Sequence, residues 1–232
     1  MISVKTAVFL GDSITMGYGL SDFADRFSTV FCKQIGWNED NYGITGTLMA
    51  RAGTSSSDGS SYIDRYAAMG YGDLIVVFGA TNDYFWADKP ISCEDSEDDY
   101  YFENAVHHLC IGLKEKYPGK PIIFLMPYQM RGIGNYFGGA DGRAHNGHNT
   151  DQKNYVGCTL ADYVNMQKSI CLSYGMYVLD LYRDFGADVA HIDEDEIRYT
   201  IDGCHPNAAG HRRIAALLRD FCIENGLIGD KT

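Results

Sequence analysis

The chain has 232 residues, of which 45% are hydrophobic, 22% are charged and 13% are aromatic. This composition is typical of a globular protein and excludes disordered or collagen-like chains, and the length suits a single α/β domain over residues 1–232. With 19 basic and 31 acidic residues, the net charge of −12 repels phosphate backbones and anionic lipid headgroups. We therefore expect neither nucleic-acid binding nor stable membrane association.

The N-terminal segment and the cysteines favour a cytoplasmic protein. The first apolar run, residues 6–10, ends at Gly11 and is too short for a signal peptide. No stretch approaches the roughly 18 unbroken apolar residues that a transmembrane helix needs. The seven cysteines include no Cys-x-x-Cys pair, which favours reduced thiols over a disulfide framework or a zinc site.

Apolar, β-branched runs alternate with segments of helical periodicity along the chain. The runs predict strands at residues 4–10, 74–78, 121–126 and 177–181, and we expect a further short strand near residues 38–42. The intervening periodicity predicts helices at residues 62–69, 98–117, 159–174 and 207–225. This alternation is typical of an α/β fold with a central parallel sheet of about five strands and helices on both faces.

Residues 128–157 interrupt this alternation. The segment is rich in glycine, asparagine and histidine and is longer than a simple connection requires. Loops beyond about 12–15 residues in compact domains tend to be functional or disordered. We expect a wall or lid of a substrate pocket, with Tyr128 and Arg131 among its contacts, although an insertion without functional importance stays open.

The sequence Gly-Asp-Ser-Ile-Thr at residues 11–15 follows the first predicted strand. In a doubly wound sheet, ligands bind at the carboxyl ends of the strands, where Ser13 would lie. A serine there is a candidate nucleophile if a base accepts its proton. The alternative is that Asp12 and Ser13 only cap the next helix.

A candidate base lies far downstream, in the Asp-Gly-Cys-His-Pro segment before the last predicted helix. An imidazole acts best as a base when a carboxylate fixes its tautomer, and Asp202 is close enough to His205 to do so. A helix-capping aspartate beside a surface histidine is the alternative for this segment.

Two further segments offer hydrogen-bond donors at the same sheet edge. Asn82 follows the strand at residues 74–78, and Gly46 follows the strand at residues 38–42. A side-chain amide and a backbone N–H would suit an oxygen on which negative charge develops, although both residue types are also common in turns. Carboxylates would oppose that charge, so we assign the neighbouring Asp12 and Asp83 to hydrogen bonds within the loops.

Taken in order, the four segments GDSIT, NYGITG, ATND and DGCHPN closely resemble the motif blocks of the SGNH hydrolases, the GDSL-type esterase and lipase superfamily. The resemblance spans residue 7 to about residue 215. One departure is visible, because Ala80 occupies the position where the family's third block usually has glycine.

This resemblance implies a flavodoxin-like three-layer α/β/α fold and ester hydrolysis through an acyl-enzyme, without a metal or cofactor. Ser13 would be the nucleophile, with His205 as the general base and Asp202 as its partner. The N–H groups of Ser13 and Gly46 and the amide of Asn82 would form the oxyanion hole.

The aromatic cluster Tyr84, Phe85 and Trp86 follows Asn82 and would border this site. Aromatic faces stack on sugar rings and also line acyl pockets, so we expect a small-molecule ester, short-chain or O-acetylated, such as an acetylated carbohydrate. A lysophospholipase-like or thioesterase-like lipolytic enzyme and a non-catalytic ligand-binding member of the fold are the alternatives. The oligomeric state stays open.

Overall fold

The fold is that of a computed structural model, which describes residues 4–51, 61–86, 88–130, 153–185 and 199–229. Five strands form one all-parallel sheet in the order β2-β1-β3-β4-β5. Their bounds are Thr6–Gly11 (β1), Asn38–Gly43 (β2), Leu74–Phe78 (β3), Ile122–Met126 (β4) and Tyr177–Asp180 (β5). This is the flavodoxin-like strand order, so the predicted fold class is confirmed.

Helices cover both faces of the sheet. The α-helices are Ser13–Met16 (α1), Phe27–Ile35 (α2), Tyr62–Arg65 (α3), Thr81–Phe85 (α4), Phe102–Lys116 (α5), Leu160–Ser173 (α6), Leu181–Asp184 (α7) and Ala208–Glu224 (α8). Two 3-10 turns, Phe23–Asp25 and Tyr66–Ala68, complete the described helical structure. The helix expected at residues 62–69 is thus divided into α3 and a 3-10 turn, and α2, α4 and α7 were not predicted.

Alternation along the strands divides the core into two layers. In β1, Ala7 and Phe9 face the layer that contains α2 and α8, whereas Val8 and Leu10 face the layer that contains α5 and α6. All four side chains are fully buried, as expected for a central strand of a parallel sheet. The sheet is therefore a rigid platform for the loops at its edge.

The strand register brings three of these loops together. Gly11, the last residue of β1, pairs with Gly43 on one side and with Phe78 on the other. The carboxyl ends of β1, β2 and β3 are therefore level, and the segments that follow them leave the sheet side by side. A Cβ on Gly43 would lie 2.3 Å from the Met16 nitrogen, so glycine allows β2 to approach α1 closely.

All seven cysteines are free thiols. Among the described residues, no helix has both the length and the apolar character needed to cross a membrane.

Most of the segment at residues 128–157 lies outside the described residues, so its role as a wall or lid stays a prediction.

Candidate active site

Ser13 begins α1 directly after β1. Its side chain is largely buried, and its N–H lies at the first helical position, where α-helices provide no internal acceptor. Asp12 is the N-cap, and its Oδ1 accepts a hydrogen bond of 2.9 Å from the Ile14 N–H. The capping role considered for this segment thus belongs to Asp12, and the Ser13 hydroxyl makes a different contact.

That contact is with His205. Ser13 Oγ lies 3.0 Å from His205 Nε2, although the two residues are 192 positions apart in the sequence. His205 Nδ1 lies 2.6 Å from Asp202 Oδ2. With the Nδ1 proton directed at Asp202, Nε2 is left unprotonated toward the serine, which is the tautomer that a general base requires.

The loop that holds Asp202 and His205 is closed on itself. Asp202 Oδ1 accepts hydrogen bonds from the N–H groups of Cys204 (2.9 Å) and His205 (2.6 Å), and Thr200 and Pro206 form an antiparallel bridge across the loop base. Burial raises the pKa of Asp202, but the hydrogen bonds and charge of His205 outweigh it and the pKa is lowered overall. Asp202 therefore stays ionised beside the imidazole.

The alternative assignment of Asp202 as the cap of α8 is wrong. Asn207 is the N-cap, and its side chain accepts hydrogen bonds from the N–H groups of Ala209 and Gly210. His205 is not a surface histidine either, because only 9% of it is exposed.

The candidate oxyanion donors lie on the neighbouring loops. Gly46 has φ 76° at the third position of the turn formed by residues 44–47, where a type II turn requires a left-handed residue. The Asn82 amide donates a 3.0 Å hydrogen bond to the carbonyl of Thr47, the next residue. Its nitrogen has one other described contact, a long one of 3.4 Å to Asp12 Oδ2. The second amide hydrogen of Asn82 is therefore weakly engaged beside Gly46.

Arg65 connects the strands and the loop around these donors through hydrogen bonds. Its guanidinium donates to the carbonyls of Tyr42 (2.7 Å) and Gly11 (3.1 Å) and to Thr47 Oγ1 (2.8 Å). These acceptors lie in β2, in β1 and in the loop of Gly46. One side chain thus connects the strand that leads to Ser13 with the loop that presents the backbone donor, a role that the sequence analysis missed.

The two aspartates beside the candidate residues are fully buried. Burial raises the pKa of Asp12 to about 6 and that of Asp83 to about 7. Asp83 accepts hydrogen bonds from the N–H groups of Met49 (3.0 Å) and Ala50 (2.9 Å) and so organises the loop after Gly46. These hydrogen bonds of Asp83, like that of Asp12 with the Ile14 N–H, agree with the predicted hydrogen bonding within the loops.

Ala80, the departure from the family pattern, precedes α4. It has φ 85° and is the only described non-glycine residue with positive φ. The backbone here keeps the left-handed conformation that glycine adopts without strain, and alanine adopts it at a cost of about 1–2 kcal/mol. The Cβ of Ala80 therefore does not change the backbone conformation of the loop that leads to Asn82.

Two of the five tentative substrate contacts are corrected. Tyr84 and Tyr128 are 2% and 0% exposed, and the Tyr128 hydroxyl donates to the Cys204 carbonyl, so both pack in the core and cannot contact a substrate. Phe85 and Trp86 are partly exposed and stay candidates. Arg131 lies outside the described residues.

Tyr18, which was not predicted from the sequence, lies next to the candidate base His205. Its ring centroid lies 4.6 Å from that of His205, at an interplanar angle of 46°. The Tyr18 N–H donates a 2.9 Å hydrogen bond to the Ser13 carbonyl, which holds the tyrosine close to the serine. Its position five residues after Ser13, beyond a helix of a single turn, is the one signal in the sequence.

The site is arranged for a general base to activate a hydroxyl group rather than a thiol. Cys204, the neighbour of His205, is buried, and burial raises its pKa well above the ordinary range, which makes it a poor nucleophile. Among the described residues, no group of three or more His, Cys, Asp or Glu side chains is arranged to hold a metal ion.

The chain is similar to known proteins of one family. The model of the GDSL-like lipase/acylhydrolase family matches residues 9–213. A solved structure of a protein from Lactobacillus plantarum is 30% identical, with 97% of this chain and 99% of that chain covered and a TM-score of 0.77. No curated protein sequence matches significantly.

More distant structures share the fold. A lipase/acylhydrolase from Enterococcus faecalis is 18% identical over 99% of this chain and 100% of that chain, with a TM-score of 0.63. A member of the lipolytic protein G-D-S-L family from Veillonella parvula is 18% identical over 93% and 96%, with a TM-score of 0.57. The chain therefore belongs to the GDSL-like lipase/acylhydrolase family and is an ester-bond hydrolase, as its sequence motifs predict.

Proposed function

We propose that this GDSL-like acylhydrolase cleaves short-chain or O-acetyl carboxylic esters through an acyl-enzyme formed on Ser13. The observation that carries the proposal is the continuous series of contacts from Ser13 Oγ to His205 Nε2 (3.0 Å) and from His205 Nδ1 to Asp202 Oδ2 (2.6 Å). A serine hydroxyl becomes a nucleophile when such a base accepts its proton.

The acylation half-reaction follows from this arrangement. Ser13 Oγ attacks the ester carbonyl carbon while its proton passes to His205 Nε2, and the ionised Asp202 stabilises the imidazolium that forms. The bond to the alcohol oxygen then breaks, and His205 returns the proton to that oxygen. The alcohol leaves, and the acyl group stays on Ser13.

Deacylation repeats these steps with water. His205 takes a proton from the water molecule and the hydroxyl attacks the acyl carbonyl. The C–O bond to Ser13 then breaks, His205 returns the proton to Ser13 Oγ, and the carboxylic acid leaves. In both halves the carbonyl oxygen becomes negative. The N–H groups of Ser13 and Gly46 and the second amide hydrogen of Asn82 are the donors we assign to it.

The burial of the reacting groups supports a small acyl group. Ser13, Asn82 and His205 are each no more than 9% exposed, which suits a small acyl group at the serine oxygen. Longer acyl chains, as in a lysophospholipase or thioesterase, require a wider groove. A non-catalytic ligand-binding protein does not require a base aligned on a serine hydroxyl.

The test is hydrolysis of p-nitrophenyl acetate, butyrate, octanoate and palmitate, together with acetylated sugars, by the parent and by Ser13→Ala. We expect the highest kcat/KM for acetate or butyrate and at least about a thousandfold lower kcat in the variant. Ser173→Ala is the matched control, because Ser173 lies at the exposed end of α6. An active Ser13→Ala protein, or a maximum at palmitate, would contradict the proposal.

We also propose that the enzyme acts in the cytoplasm. All seven cysteines are free, and burial raises the pKa of Cys32, Cys171 and Cys222, as suits unreactive thiols in a reducing compartment. Fractionation of cells that express the chain would test this, and recovery mainly outside the cytoplasm would contradict it.

A further inference from the structure

We propose that an apolar surface beside His205 binds the alcohol part of the ester, so that the preferred substrates carry an apolar alkyl or aryl alcohol. This alcohol shelf consists of Tyr18, Leu20, Phe23 and Ile201. The inference rests on the proposed function, because it assumes that His205 protonates the departing alcohol.

The chemistry of the base decides which part of the substrate meets this surface. In the tetrahedral intermediate, the central carbon carries Ser13 Oγ, the oxyanion, the acyl chain and the alcohol oxygen. The oxyanion faces the assigned donors on Gly46 and Asn82. The alcohol oxygen must lie within hydrogen-bond reach of His205 Nε2 to receive a proton, so the alcohol group extends from the imidazole.

The shelf is continuous with that imidazole. The Tyr18 ring lies against His205, with 4.6 Å between the ring centroids. Gly19 follows Tyr18 and has φ 80°, and a Cβ there would lie 2.2 Å from Ile201 Cδ1. Glycine thus lets Ile201 pack directly over the backbone beside the tyrosine, immediately before Asp202 in the sequence.

Phe23 and Leu20 extend the shelf along the chain segment that follows Tyr18. A Cβ on Gly17 would lie 3.3 Å from both Leu20 Cδ1 and Phe23 Cδ1, so the two side chains meet at this glycine. Phe23 is 54% exposed and Ile201 is 40% exposed. Apolar side chains that are exposed close to a reactive group indicate a binding surface rather than scattered surface residues.

The neighbouring charges argue against an alcohol that carries a phosphate. Arg26 packs on the Phe23 ring but pairs with Glu39 at 3.0 Å, and Arg212 pairs with Asp25 at 2.7 Å. Arg26 also donates to Thr29 Oγ1 and the Met16 carbonyl. The arginines that flank the shelf are therefore engaged within the described protein, which favours a neutral apolar group.

The experiment compares two ester series on the parent enzyme, on Ile201→Ser and on Phe23→Ser. One series varies the alcohol of an acetate ester, from methyl through butyl and hexyl to benzyl, and the other varies the acyl chain of a methyl ester, from acetate to hexanoate. We expect Ile201→Ser to lower the ratio of kcat/KM for hexyl acetate over methyl acetate by about tenfold, as the loss of apolar contact predicts. Ile111→Ser is the control, because Ile111 is similarly exposed on α5, outside the shelf.

The acyl series decides whether the surface is specific for the alcohol. In Ile201→Ser, the ratio for methyl hexanoate over methyl acetate should stay within about twofold of the parent. If both ratios fall together, or if only the acyl ratio falls, the shelf does not bind the alcohol. A parent enzyme that prefers acetylated sugars to benzyl and hexyl acetate would also overturn the inference.

A binding measurement separates failure of the inference from failure of the proposed function. If no ester in either series is hydrolysed, the proposed function is wrong. The shelf is then tested alone by titrating 1-hexanol into the protein and following chemical shifts of the tyrosine rings. Binding that weakens in both Ile201→Ser and Phe23→Ser, but not in Ile111→Ser, supports an apolar site, and equal binding by all four proteins overturns it.

Discussion

Replacing Arg65 by methionine removes the three hydrogen bonds that connect β1, β2 and the loop of Gly46. The acceptors are the carbonyls of Gly11 and Tyr42 and the hydroxyl oxygen of Thr47. Methionine keeps most of the apolar stem but donates to none of them.

The expected loss of stability follows from these partners. A hydrogen bond from a charged donor contributes about 1.5–3 kcal/mol, so three would contribute at least about 4–5 kcal/mol if all were lost without compensation. The Gly11 carbonyl also accepts from the Ile44 N–H, and the Thr47 hydroxyl also donates to the Ile44 carbonyl. We therefore expect Arg65→Met to lower the free energy of unfolding by about 2–4 kcal/mol.

Activity should fall by more than the loss of folded protein explains. Because the Thr47 carbonyl holds the Asn82 amide, movement of this loop displaces two of the assigned oxyanion donors. A displacement of about 1 Å costs roughly a hundredfold in rate, so kcat should fall by about ten- to a hundredfold with little change in KM. Arg65→Lys keeps the charge and one donor group and should recover part of both losses.

The assays are urea denaturation and steady-state kinetics on p-nitrophenyl acetate, run where every variant is folded. Arg212→Met is the matched control, since the Arg212–Asp25 pair is exposed and an exposed pair contributes at most about 1 kcal/mol. A folded Arg65→Met enzyme with the kcat of the parent would refute the positioning argument, even if its stability fell.

Three further predictions concern the third motif block. Asn82→Ala should lower kcat by about a hundred- to a thousandfold in steady-state assays, because the contact strengthens in the transition state, whereas a change confined to KM would assign Asn82 to ground-state binding. Ala80→Gly should leave the free energy of unfolding in urea unchanged or raise it by up to about 1 kcal/mol, because φ 85° suits glycine; a loss of about 1 kcal/mol, as in a helix interior, would contradict this. Burial raises the pKa of Asp83 from 3.8 to about 7, so the folded state holds this proton more tightly than the unfolded state does. The free energy of unfolding that the proton contributes is fully present below about pH 4 and is lost as the pH rises through about 7. Asp83→Asn should therefore flatten the decline in unfolding free energy between about pH 6 and pH 7, and an unchanged slope would assign that decline to other groups.

Strands β3 and β4 were predictable because their chemistry is local. Buried runs such as those of β3 and β4 consist of β-branched, aliphatic and aromatic residues, and their predicted bounds agree with the structure to within one residue. Helix α2 was missed because Thr29, Val30 and two phenylalanines favour a strand and Arg26 provides no side-chain cap. It is helical because its apolar face packs on the sheet and α8.

Three of the residues that the structure brings together at the site have positions that follow from strand ends. Ser13, Gly46 and Asn82 each follow a parallel strand, and such ends share one edge of a sheet. Side-chain direction was not predictable without knowing that residues 81–85 are helical. Tyr84 lies two positions after Asn82, so it points to nearly the opposite side of α4 and packs in the core. The contacts of Arg65 are with backbone and hydroxyl groups of distant segments, which a side-chain pattern does not show.

The acyl-enzyme on Ser13 is tested most directly by intact-protein mass spectrometry after rapid acid quench of a reaction with p-nitrophenyl acetate. We expect a transient mass increase of one acetyl group, which peptide mapping locates on Ser13 and which is absent in Ser13→Ala. Asp202→Asn should form the same adduct more slowly, because the carboxylate that fixes the His205 tautomer is lost. Steady hydrolysis with no adduct at any quench time, or an adduct on another residue, would contradict the account.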